Sequence, residues 1–458
     1  MAIAAQSIPV QSVAAQSIPA ESIHRPRLSR FRAIGRLLPF AALLALMLPA
    51  NGAESTAGRS NPGDPIAELE RGIEGREVDL SFDSERGYLL SLLSALKIPV
   101  SSQVLVFSKT SKQLHLISPE RPRAIYFNDD VYVGVVPNSP FLEISSADPE
   151  HGGAFYTLNQ TPAATPRFQR DRECLQCHES PRTNHVPGHL VRSVYPEPDG
   201  QPAYQAGTYD TDDRAPFEER WGGWYVTGTH GAQRHMGNSF LAGSARPEDF
   251  DREPGANLSS LQDRFDATQH LSPHSDIVAL MVLGHQTRMH NLIARARLET
   301  EKALAYQAAT ARAFGEISEH LAALTKRRVE QPAEELVRYL LFAGEVPLTD
   351  RVSGVSGFAE EFAQRGPFDS QGRSLRQFDL QRRLFRYPCS FLIYSEAFDA
   401  LPGRAKTYVY GRLWSILHGE DDEGFENLSP ADRENLVGIL RQTKPEISRY
   451  WPPSGQER

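Results

Sequence analysis

The apolar positions of the chain change period twice. Tyr88, Leu89, Leu92, Leu93 and Leu96 recur at helical spacing, and Pro99 ends the run. Residues 54–83 before them are polar, so 54–99 reads as a linker followed by a short helix. From about residue 103 the period becomes two. Val104–Phe107, Leu114–Ile117, Ala124–Phe127, Val131–Val136 and Phe141–Ile144 read as short strands. Asn128-Asp129-Asp130 supplies a turn between two of them. These runs predict a small antiparallel β-domain over residues 100–160.

Residues 161–270 lose periodicity and are rich in Pro, Gly and Asp, which predicts a long irregular segment. Phe217, Trp221, Trp224, Tyr225 and Phe240 within it argue against disorder, so something must organise this backbone. Residues 271–458 return to a helical pattern. A long helix is expected from Ser275 to Phe314, with Ser275 as its cap and Asp276 near its positive end. Others are expected over 333–342, 376–386, 389–400, 404–418 and 430–441, the last opening on Ser429-Pro430. Strands first and helices last make an α+β fold with a mostly helical C-terminal region.

Residues 1–53 stand apart. Arg25, Arg27, Arg30, Arg32 and Arg36 precede the apolar run Leu37–Leu48, and Ala50, Gly52 and Ala53 follow it. That order is a secretory signal peptide, too short in its apolar part for the roughly 20 residues of a spanning helix. The repeat Ala4–Pro9 and Ala14–Pro19 ahead of it reads as an N-terminal extension. No later stretch is apolar enough to span, so no integral membrane span is expected after removal of the signal. The chain of 458 residues has a formal charge of −8, without the basic excess of a nucleic-acid binder.

Three cysteines are too few for a disulfide framework. Two of them lie in Cys174-Leu175-Gln176-Cys177-His178, and Cys389 sits alone in an apolar stretch that suits burial. In Cys-x-x-Cys-His the two thiols match the two vinyl groups of haem, and the adjacent His meets the iron. A thioredoxin-like redox pair would need a βαβ setting, which the flanks do not show. A zinc site would need a further pair of ligands. The motif resembles that of the c-type cytochromes, over these five residues. The resemblance implies one covalent haem c held by Cys174, Cys177 and His178, with periplasmic or otherwise exported location and a redox partner protein. The stretch Arg220–Gly231, Arg-Trp-Gly-Gly-Trp-Tyr-Val-Thr-Gly-Thr-His-Gly, is similar to segments of large single-haem bacterial proteins without an established activity.

Ten of the fourteen histidines lie between His151 and His290. An electron-transfer haem takes Met or His as its second axial ligand. Met236, one of five Met, is the first candidate, because it lies between polar residues and Gly237. His185 and His189 are loop candidates, since Pro187-Gly188 between them excludes a regular helix. His230 and His235 flank a Gly-rich turn and could instead act as distal acid–base groups. His285 and Met289 share a helix face, with His285 expected to pack on the haem or the core, and His290 points away from it. Arg192, Arg220 and Arg234 are candidates to pair with haem propionates. The expected function is electron transfer by an exported single-haem cytochrome with His178 and Met236 on the iron. The alternative is a periplasmic haem oxidoreductase, peroxidase-like or oxidising a small molecule, with an open distal site.

Overall fold

The computed structural model describes residues 63–243 and 246–453. The signal-like residues 1–53 and the start of the linker lie outside the described residues.

The alternating runs become a seven-stranded antiparallel sheet. In chain order its strands are β1 (Val104–Val106), β2 (Arg123–Phe127), β3 (Val131–Val135), β4 (Phe141–Asp148), β5 (Gly152–Asn159), β6 (Phe168–Arg170) and β9 (Trp224–Tyr225). They lie side by side as β6-β5-β4-β3-β2-β1-β9. The sheet therefore extends beyond residue 160 and takes both of its edge strands, β6 and β9, from the segment expected to be irregular. A separate ribbon, β7 (Arg192–Val194) with β8 (Thr208–Asp210), also lies in that segment. At the expected turn, Asn128 Oδ1 accepts from the N–H groups of Asp130 and Val131. The run Leu114–Ile117 is not a strand. Leu114, Leu116 and Ile117 donate their N–H groups to Ser111, Gln113 and Leu114, which closes a 3-10 turn and takes three of the run's four donors away from a sheet partner.

Period-two burial gives the sheet two covered faces. Tyr126, Val133, Leu142, Ile144, Tyr156 and Leu158 face a core shared with α1 (Pro65–Glu74) and α2 (Leu89–Ala95). Helix α1 occupies what the polar pattern marked as linker. Asp64 caps it through Ile66 N–H, and Ile66, Leu69 and Ile73 form its narrow buried stripe. On the opposite face Val104, Val106, Phe127 and Tyr132 pack into the main core. The axis of that core is α4 (Ile277–Phe314). The cap of α4 is Asp276, which accepts from Val278 and Ala279 N–H. Ser275 turns instead to the sheet edge, accepting from Leu105 N–H and donating to Tyr225 O.

The short motif helix is α3 (Leu175–His178). The C-terminal helices are α5 (Glu319–Leu340), α6 (Phe358–Ala363), α7 (Glu396–Asp399), α8 (Gly403–Leu417) and α9 (Pro430–Thr443). Ser429 caps α9 in a capping box with Asp432. The helix expected over 376–386 does not form. Asp379 Oδ1 captures the N–H groups of Gln381 and Arg382, and Phe378 pairs with Phe385 across the resulting turn. Helix α5 starts well before the expected 333, because Lys326-Arg327-Arg328 and Pro332 obscure its pattern while Leu321, Thr325 and Val329 are buried. Among the described residues no helix is long and apolar enough to cross a membrane.

Candidate functional site

The motif forms a single helical turn at the rim of the second sheet face. Cys174 precedes α3 and accepts from the N–H groups of Cys177 and His178 through its carbonyl. Cys177 is exposed, and Cys174 and His178 are half-buried. Two reciprocal hydrogen bonds brace His178 against the chain ten residues on. Gly188 N–H donates to His178 O at 2.8 Å, and His178 Nδ1 stands 2.9 Å from Gly188 O. A carbonyl can only accept, so Nδ1 carries the proton and Nε2 keeps a bare lone pair. Among the described residues Nε2 has no hydrogen-bond partner. Burial pushes the imidazole below its ordinary pKa, so the ring is neutral at neutral pH. A neutral, oriented imidazole with a free Nε2 is what a metal ligand requires.

The loop that supplies Gly188 is held on three sides. Ser180 and Thr183 form a capping box, and Thr183 Oγ1 donates to His178 O. Gly153 N–H on β5 donates to Pro187 O at 2.6 Å. Asn291 on α4 brackets His189, accepting from its N–H and donating to its C=O, each at 2.8 Å. A Cβ built on Gly188 would run into the Asn291 amide, so glycine is needed there for close approach. The His178 ring packs on Phe155 of β5 at 4.7 Å between centres. Phe155 pairs with Ser145, and Ser145 with Tyr132, so one row across three strands supports the loop.

The Cys174 thiol is set differently from that of a redox pair. Burial, with Asp171 and Glu143 adding to it, pushes the Cys174 thiol up to about 11. Redox-active Cys-x-x-Cys pairs have the opposite shift. Among the described residues no group of three or more His, Cys, Asp or Glu side chains is arranged to hold a metal ion. The donor set fits a haem attached by two thioethers with one imidazole ligand.

The other candidates are spread over the molecule, with His189 beside His290 and His230 beside His235. Met236 is fully buried in a small core with Tyr195, Leu241 and Phe250, and its Sδ accepts from Ser193 Oγ at 3.6 Å. His185 is exposed in the loop at φ +59°. His189 is buried against Tyr132, on the Gly188 side of His178. His230 is fully engaged, with Nδ1 on Gln233 O at 2.8 Å and Nε2 accepting from Asn257 N–H at 3.0 Å. His235 packs on His230 and Trp221, with Nδ1 unpartnered. Met289 is buried in the main core. His290 donates from Nε2 to Asp129 O at 2.8 Å. The three arginines are committed elsewhere. Arg192 binds Thr208, Arg234 binds Glu253, and the buried Arg220 donates to Ala215 O and Asp213 O.

His285 belongs to the core, as one of its two expected roles had it. It is stacked between Tyr339 and Phe342, with Nδ1 3.2 Å from Asp213 Oδ1 and Nε2 2.8 Å from Ser390 Oγ. This Asp–His–Ser line has the connectivity of a hydrolytic triad. All three side chains are sealed, at 3%, 0% and 0% exposure. Ser390 Oγ also caps the 3-10 turn Phe391–Tyr394, so the line ties α4 to the chain after Cys389. Its three members are 72 and 105 residues apart, and no local pattern announces it. Compared with protein families, curated proteins and solved structures, the chain matches none of them.

Proposed function

We propose that the chain is an exported single-haem c-type cytochrome acting in electron transfer, with haem held by Cys174, Cys177 and His178. The observation that carries this reading is the His178–Gly188 bracing, which leaves Nε2 bare beside two unpaired thiols on the same turn. The bound haem would supply one-electron redox chemistry. The chain's own part is to fix the imidazole tautomer through Gly188 O and to hold ring orientation on Phe155. It also keeps the motif at a surface that a redox partner protein can reach.

Met236 as second axial ligand gains no support from its place, since its sulfur is enclosed with Ser193. That observation favours keeping the second reading, a periplasmic haem oxidoreductase with an open sixth position. Optical and EPR spectra of the protein matured with haem separate the two. A low-spin haem that resists cyanide is expected for the carrier. A high-spin haem that takes cyanide readily supports the oxidoreductase. Protein that matures without bound haem contradicts both.

A further inference from the structure

Beside the motif turn, the sheet carries an arginine with donors to spare. Arg123 on β2 belongs to the second sheet face, which also carries Phe155 under the His178 ring. Residues of that face meet in a row: Ile125 pairs with Gly134, Gly134 with Glu143, and Glu143 with Thr157, two residues from Phe155. A Cβ built on Gly134 would run into the Arg123 guanidinium, so glycine lets the guanidinium lie across β3 toward Glu143. Arg123 Nη2 stands 2.6 Å from Glu143 Oε2, and the two side chains are 20% and 14% exposed.

This ion pair adjoins the attachment turn. Glu143 Oε1 accepts from Gln113 Nε2 at 3.4 Å. Lys112, next to Gln113, is bound to Asp171 and Glu173 just ahead of Cys174. The charges of Arg123 and Glu143 are felt at both the Cys174 thiol and the His178 ring.

A guanidinium offers five N–H donors. Only Nη2 of the three Arg123 nitrogens has a partner among the described residues, and Nε is buried without one. Buried donors in native proteins almost always find an acceptor. The protein has none left nearby: Asp171 and Glu173 are taken by Lys112, and Glu143 is shared with Gln113. A haem tethered through its vinyl carbons at Cys174 and Cys177 would bring two propionate carboxylates on its opposite edge. The guanidinium fork matches a carboxylate in shape and charge.

We infer that Arg123 binds a haem propionate, with Glu143 and Gly134 holding the guanidinium in place. The inference rests on the haem reading above and assigns to β2 the role first expected of Arg192, Arg220 and Arg234.

The test uses the full-length protein matured with haem. Arg123→Gln removes the charge, Arg123→Lys keeps the charge and gives up the fork, and Glu143→Gln removes the competing carboxylate. Two readouts are taken, the propionate bending band in the resonance Raman spectrum and the propionate transition in the pH dependence of the reduction potential. Arg123→Gln is expected to raise the transition by about one pH unit or more and Glu143→Gln to lower it, since an opposite charge favours the ionised carboxylate and a like charge disfavours it. Arg123→Lys is expected to keep the transition close to that of wild type while the bending band shifts. It serves as the second variant should Arg123→Gln not fold. Variants that attach haem with the wild-type band and transition overturn this inference alone. So do Arg123→Gln and Glu143→Gln transitions that move in the same direction, which mark a purely structural ion pair. Wild-type protein that takes up no haem overturns the inference together with the reading above.

Discussion

At the scale of single residues, the account turns on how His178 is held. Its Nδ1 is fixed by a backbone carbonyl, so the interaction can be disturbed without touching the ring. Gly188→Ala places a Cβ against Asn291 and should displace that carbonyl from Nδ1. The expected result is a haem that still attaches but has a shifted reduction potential and Soret band. An unchanged potential in a Gly188→Ala protein would show that the bracing has no electronic role. Met236 gives the opposite expectation. Met236→Leu fills the same enclosed volume and loses the Ser193 contact, so it should cost under about 1.5 kcal/mol and leave the haem spectrum as it was. Loss of a Met-type near-infrared band in that variant would put Met236 on the iron.

At the scale of elements, Asp276 joins two parts of the main core. Its Oδ1 caps α4, and its Oδ2 accepts from Val355 and Ser356 N–H at 2.7 and 2.9 Å. Asp276→Ala leaves four backbone donors without this acceptor and should destabilise the protein by about 3 kcal/mol. Ser429→Ala removes an exposed cap of α9 and should cost about 1 kcal/mol. Urea unfolding checks both values, and equal losses would contradict the account. The α9 cap was legible in the sequence because Ser429, Pro430 and Asp432 are local neighbours. The α4 cap was misplaced by one residue, since Ser275 and Asp276 are both good cap residues and the choice is made by Leu105 and Tyr225 far away in sequence. The strands from 124 to 144 were legible by alternation. Those at 192–194, 208–210 and 224–225 were not, because two or three residues cannot display a period. The Cys-x-x-Cys-His motif was legible because it lies in five consecutive residues. The Gly188 bracing, the Asn291 bracket and the Asp213–His285–Ser390 line were hidden, since each joins residues that only the fold brings together.

At the scale of the whole molecule, buried ionisable groups set the pH range of stability. Burial, aided by Arg86, pushes His270 down to about 4, and burial beside His230 holds His235 well below its ordinary value. The unfolded chain binds protons at these histidines below about pH 6.5 while the folded chain does not, so stability falls as pH drops from there toward 4. His270 alone accounts for about 3 kcal/mol across that window. Burial has the reverse consequence for Glu345, pushed up to about 8, and for Asp130, pushed up to about 7. There the folded chain keeps protons that the unfolded chain has lost, so stability also declines as pH rises toward 8. Urea unfolding from pH 4 to 9 should give a maximum near about pH 6.5, with a shallower acid limb in His270→Asn. A flat profile would contradict the burial of these groups. The central claim, covalent haem at the Cys174–His178 turn, is tested most directly on intact protein purified from a periplasm with haem-attachment machinery. Its mass should exceed that of the processed chain by one haem, and the haem should stay with the protein through acidified acetone, both properties vanishing in the Cys174→Ser, Cys177→Ser double variant. A mass equal to that of the bare chain, or haem that extracts freely, would contradict it.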